Sequence, residues 1–95
     1  MHAKGEMMYR IWGILRKNNK ILRDTVAVSE GADCSDETKL QECIQEICYE
    51  FDLQRPMWLP KNEKEFMKYK RAVLNQDNFI ETISFDTLEV ELLEE

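Results

Sequence analysis

Apolar residues recur along this chain with two different periods, and the change from one to the other marks out its elements. From Met8 to Leu15 and from Ile21 to Val28 they are dense, β-branched or aromatic, and the polar stretch 16–20 lies between the two runs. Asn18 and Asn19 tolerate positive φ, so a two-residue type I′ turn closes the runs into a β-hairpin. That turn pairs Leu15 with Leu22, Gly13 with Asp24, Ile11 with Val26 and Tyr9 with Val28. Tyr9, Ile11, Leu15, Leu22, Val26 and Val28 then share the face expected to meet the core. The opposite face carries Arg10, Trp12, Ile14 and Arg16 on one strand, with Ile21, Arg23, Thr25 and Ala27 on the other. Trp12 and Ile14 are too apolar for a face left wholly in water.

The period lengthens after Asp33. Leu40, Cys43, Ile44, Ile47, Cys48 and Phe51 fall three, four, seven, eight and eleven residues apart, the stripe of an amphipathic helix running from Ser35 to about Asp52. Lys39, Glu42, Gln45, Glu46 and Glu50 form its wetted face. Ser35 or Asp36 supplies the N-cap oxygen, and the acidic residues behind it suit the positive end of the helix dipole. Pro56-Met57-Trp58-Leu59-Pro60 is too stiff for a helix interior and too apolar for water, so it either plugs one end of the core or presents a recognition surface. Asn62, with Glu65 three residues on, resembles a capping box and opens a second helix using Phe66, Tyr69, Lys70 and Val73 along one side. Lys61, Lys64, Lys68 and Arg71 fall mostly on another side, read as a solvated face. Residues 75–87 give no clean period. From Leu88 strict alternation returns, with Leu88, Val90 and Leu92 one way and Glu89, Glu91 and Leu93 the other. Ile83 and Phe85 have the opposite parity, so a bulge or turn at Asp86 and Thr87 is needed if they are to join Leu88 in the core.

The expected fold is therefore α+β, in the order β-β-α-α-β. An antiparallel sheet, made of the N-terminal hairpin and the C-terminal strand, carries two helices on one face. Ninety-five residues bound it to a single domain over 1–95, with residues 1–6 as a disordered tail. That tail holds His2, the sole histidine, which leaves histidine-based acid–base or metal chemistry without support in the folded part. Three cysteines, Cys34, Cys43 and Cys48, without CxxC spacing signal neither a disulfide framework nor a zinc clip. Cys43 and Cys48 read as small buried apolar residues.

Phosphate loops of the GxxxxGK[ST] and GxGxxG types, HExxH and EF-hand patterns are all absent from the sequence. No residue is assigned as catalytic, cofactor-binding or metal-binding, and no cofactor is implied. Among the carboxylates, Asp24 is the one that burial on the expected core face would prime as an acid or base. Glu46 and Glu50, one turn apart, could hold a divalent cation with Asp52 or Asp86. Plain readings, a wet or ion-paired carboxylate, outweigh both.

Charge alternates in blocks. Lys and Arg outnumber Asp and Glu by six to two over residues 1–29 and again over 53–75, whereas the balance is one to eight over 30–52 and none to seven over 76–95. Such blocks argue for faces that meet within the fold or across a dimer, and against nucleic acid as the main partner. A lone Trp12 among arginines, in a chain of pI about 4.8, is not a base-stacking platform. No run approaches the roughly 20 apolar residues of a membrane span, and no apolar leader follows the basic start, so a cytoplasmic address is expected.

The run Ile47-Cys48-Tyr49-Glu50-Phe51-Asp52-Leu53 before Pro56-Met57-Trp58-Leu59, with Gln76-Asp77-Asn78-Phe79-Ile80-Glu81 and then Phe85-Asp86, resembles a family of short bacterial proteins. The likeness spans 9–94 and implies a stand-alone domain; the family has no assigned activity, so no catalytic residue is carried over. The leading functional expectation is a non-enzymatic protein-interaction module, binding a protein partner or a second copy of itself. Its surface would draw on Trp12, Ile14, Arg23, Met57 and Trp58, or on an exposed sheet edge. A small carboxylate-dependent or metal-assisted enzyme is the alternative, and weak nucleic-acid binding the third reading.

Overall fold

Two asparagines at positive φ, Asn18 at 56° and Asn19 at 65°, make the type I′ turn that joins β1 (Tyr9–Lys17) to β2 (Lys20–Ser29). The computed structural model describes residues 9–29 and 35–93, so the expected tail with His2, the loop at Gly31 and Cys34 lie outside the described residues. The hairpin is as expected, but its register is not. Lys17 faces Lys20 and Arg16 faces Ile21, whereas Leu15 faces Arg23, so Leu22 is an extra residue in a β-bulge. Past the bulge Ile14 pairs with Asp24, Gly13 with Thr25, Ile11 with Ala27 and Tyr9 with Ser29.

Because side chains alternate, this one-residue slip turns β2 over from Arg23 onward and leaves Ile21 on the outer face. Arg23, Thr25, Ala27 and Ser29 lie on the core side; Val26 and Val28, expected inside, are 47% and 37% exposed on the other side, and Leu22 is 51% exposed. The helix above explains why. Helix α1 (Asp36–Glu50) starts with the Ser35 hydroxyl accepting the Thr38 N–H at 3.2 Å, and its stripe of Leu40, Cys43, Ile44, Ile47 and Cys48 is fully buried. It lies close enough to the hairpin for the Cys43 thiol to sit 3.8 Å from the Tyr9 carbonyl and 3.7 Å from that of Ala27. A Cβ on Gly13 would fall 2.6 Å from Ile47 Cγ2. Small residues fit beneath a helix this close; a row of valines does not.

Helix α2 (Pro60–Tyr69) begins earlier than the expected Asn62 cap. Leu59 is the N-cap and Pro60 takes the first turn, where its missing N–H costs nothing. Asn62 instead sits inside the first turn, its Oδ1 accepting the Leu59 N–H at 3.0 Å. The helix stops at Tyr69 because Lys70 turns left-handed, φ 61°. Val73, assigned by spacing to this helix, therefore belongs to a short strand, β3 (Arg71–Leu74). With β4 (Thr87–Leu92) the strands form one antiparallel sheet of order β2-β1-β4-β3, with α1 over the hairpin and α2 over β3.

The core lies between sheet and helices. Ile11, Leu15, Leu74, Leu88 and Val90 meet Ile44, Ile47 and Phe66, with Phe79 and Phe85 edge-to-face at 5.7 Å. The chain turns just before Thr87, which lets Phe85 join Leu88 as expected. Asn62, in the first turn of α2, and Asn78, in the segment between β3 and β4, 1% and 0% exposed, tie neighbouring parts of the chain together. Asn78 Nδ2 donates to Asn62 Oδ1 at 2.8 Å and to the Met57 carbonyl at 2.7 Å, and its Oδ1 accepts the Asn75 N–H at 3.0 Å.

Candidate interaction surface

Turning β2 over gives the sheet an outer face that is apolar as well as charged. Register places Val28, Val26, Asp24 and Ile21 of β2 beside Arg10, Trp12, Ile14 and Arg16 of β1, then Glu91 and Glu89 of β4 and finally Arg71 and Val73 of β3. Among the described residues no helix lies over it.

Ile14 is its centre. It is 1% exposed yet does not belong to the main core cluster, because it points away from the helices. Asp24 and Glu89 are its direct neighbours on β2 and β4. Trp12 Nε1 donates to Asp24 Oδ2 at 2.9 Å, and Arg16 Nε to Glu89 Oε1 at 3.2 Å, so two side chains of β1 reach out on either side of Ile14. Glu89 Oε2 accepts from Arg71 Nη1 at 2.9 Å. The Glu89 side chain is only 8% exposed, and both of its oxygens are held by arginines that keep 39% and 54% of their own exposure. A buried carboxylate satisfied twice is fixed in place, while the half-exposed arginines gain little from the pairing itself. An outward carboxylate of β4 thus meets a hairpin arginine, Arg16.

Of the residues expected to make a surface, Trp12 and Ile14 come together here, with Ile14 already covered. Arg23 does not join them. The bulge sends it to the helix side, where Nη2 donates to the Glu50 carbonyl at 3.4 Å and the guanidinium lies 5.1 Å over the Phe51 ring. It thereby puts a cation at the C-terminal end of α1, whose last turn has no basic residue of its own. Met57 is 44% exposed, but in the loop before α2. Trp58 packs edge-on to Phe66 at 6.1 Å with Nε1 donating to Glu63 at 2.8 Å, so the apolar loop closes the core through Trp58. Sequence reasoning missed Val26 and Val28 as surface residues; only the bulge reveals them.

The chemical candidates are dispersed. Asp24 is exposed beside Trp12 rather than buried; Glu46 and Glu50 lie on the wet side of α1; Asp86 accepts the Asn18 N–H at 2.8 Å at the hairpin end. No group of three or more His, Cys, Asp or Glu among the described residues is placed to hold a metal. Burial, with Glu46 and then Glu42 nearby, pushes the Cys43 thiol up to about 11. Burial, then Glu81, pushes that of Cys48 up to about 11 against the opposing charge of Arg55. Both stay protonated at neutral pH and are poor nucleophiles. A groove of about 540 Å³ runs beside Cys48, Leu53 and Arg55, and a second of about 450 Å³ lies between Tyr9, Leu40, Phe66 and Leu92. Glu42 and Glu46 also line the first and Glu37, Glu63 and Lys70 the second, but neither lining includes a histidine or an ionised thiol. No helix among the described residues is long and apolar enough to cross a membrane.

Compared with known protein families, with curated proteins and with solved structures, the chain matches none of them.

Proposed function

We propose that this protein is a non-enzymatic interaction module that works through the outer face and β2 edge of its sheet, with a second copy of itself as occupant. One observation carries the reading. The edge strand β2 holds Ile21, Leu22, Val26 and Val28 at 49%, 51%, 47% and 37% exposure, next to a half-buried tryptophan in a fixed polar frame. Exposed apolar side chains beside an aromatic and arginines are the usual composition of a protein interface. Dispersed carboxylates and protonated thiols give the enzymatic alternative no comparable support.

Light scattering over a concentration series tests it. The expected result is a dimer that Trp12→Glu weakens and Met57→Glu, in the loop before α2, leaves intact. A wild-type chain that remains monomeric at high concentration overturns the proposal, as does a dimer indifferent to Trp12→Glu.

A further inference from the structure

The two edges of the sheet are built differently. The β3 edge is four residues long, starts at Arg71 and follows the left-handed Lys70. Short, charged edges of that kind resist pairing. The β2 edge is ten residues long, contains no proline, and runs without irregularity from Arg23 to Ser29; its bulge lies outside that stretch, at Leu22. Among the described residues no strand pairs with its free side.

We infer that two copies join by antiparallel pairing of their β2 edges, with the two-fold axis through Val26, giving one continuous eight-stranded sheet. The inference rests on the proposal that a second copy occupies this edge, and it adds where and in which register. A two-fold axis perpendicular to a sheet keeps each face on its own side, so the axis passes through a residue and not between two. Three residues near the middle of the strand compete. An axis at Asp24 sets two aspartates directly opposite each other, which is unfavourable. An axis at Thr25 leaves Ser29 opposite Ile21, across the bulge. An axis at Val26 uses the whole regular stretch, since 23 and 29 are equally far from it. Val26 then faces the partner's Val26, Asp24 faces the partner's Val28, and Thr25 faces the partner's Ala27.

Charge supports the same register. Arg23 falls opposite the partner's Ser29, on the helix side of the sheet. Within one chain the Ser29 hydroxyl donates to Glu42 Oε1 at 3.1 Å, so each Arg23 arrives beside a carboxylate of the other copy. Symmetry makes that contact twice. On the outer side, Val26 and Val28 of both copies join into one apolar strip between the two Trp12 side chains.

Val26→Lys and Val26→Glu test the register, because an exposed position on an edge strand tolerates either side chain without unfolding, which circular dichroism verifies. In the inferred dimer each variant sets like charges across the axis, so each self-associates at least tenfold more weakly than wild type, and an equimolar mixture regains a heterodimer. If the axis lies at Thr25 instead, Val26→Lys meets the partner's Asp24 and tightens the dimer, which overturns the inference. A wild-type dimer that neither variant weakens, or a mixture that fails to recover, also overturns it while leaving the proposed homodimer standing. A monomeric wild type removes both.

Discussion

Gly13 shows how a single position sets the spacing of two layers. Its missing Cβ lets Ile47 approach the backbone of β1, and the Cβ of an alanine would sit 2.6 Å from Ile47 Cγ2. Ile47 is itself fully buried and β-branched, so it has little room to turn aside. Gly13→Ala is expected to destabilise the protein by about 1–3 kcal/mol, the usual range for overpacking, read as a lower urea midpoint at unchanged slope. Asn78 serves in the same way for the loops. Asn78→Ala leaves the Met57 carbonyl, the Asn75 N–H and Asn62 Oδ1 each short of a partner. At about 1–3 kcal/mol for a buried group left unsatisfied, the loss should exceed that of Gly13→Ala and speed amide exchange at Met57, whose N–H donates to the Asn78 carbonyl. The thiols add a pH dependence. An unfolded cysteine ionises near its ordinary value of 9.0 and the folded Cys43 and Cys48 near 11, so the stabilising effect of burying neutral thiols is intact below pH 9 and is lost as pH rises towards 11. Urea titrations of the wild type and a Cys43→Ala, Cys48→Ala double variant should show a shallower alkaline decline in the variant.

At the scale of elements, the bulge decides more than any other feature. Leu22 has no partner on β1, and removing it would leave Ile21 opposite Arg16 and Arg23 opposite Leu15. Deleting Leu22 is therefore expected to cost no more than about 1 kcal/mol, whereas deleting Thr25 shifts every residue between it and the bulge to the wrong face and prevents cooperative unfolding in urea. The sequence made the hairpin, its Asn18-Asn19 turn, helix α1 from Ser35 and the alternation of β4 legible, because each rests on a local preference or a clean period. The register of β2 was not legible. Ile21 and Leu22 are both apolar, so the pattern does not say which is the extra residue, and the valines look more like core than Ala27 and Thr25 do. What decides is the closeness of α1 at Gly13, a contact 34 residues long in sequence that no local pattern contains. β3 was hidden for a related reason: helical spacing runs on through Val73, and the left-handed Lys70 that ends it carries no glycine to announce itself. The candidate surface inherited both outcomes, with Trp12 found from sequence and Val26 and Val28 found only through the bulge.

For the whole molecule, the alternating charge blocks become contacts between distant parts of the chain. Arg16 from the first basic block and Arg71 from the second both meet Glu89 of the last acidic block, while Arg23 reaches the end of α1 in the first acidic one. These pairs are largely exposed on the arginine side, so they orient the faces more than they stabilise them. The core lies on the helix side of the sheet, and among the described residues no helix covers the outer face and no strand pairs with the free side of β2, the surfaces proposed above for association. The asymmetry of the two edges then predicts where association registers. Hydrogen exchange measured across a dilution series should show protection of the amides in 23–29 growing with concentration, since outward N–H groups of an unpaired edge exchange freely and those of a paired edge do not. Amides of β3, at the far edge, should show no such dependence. Protection that grows at β3 instead would assign self-association to the wrong edge, and protection that grows on α1 alone would assign it to the helical layer. Either pattern would make the exposed valines of β2 a passive consequence of the bulge.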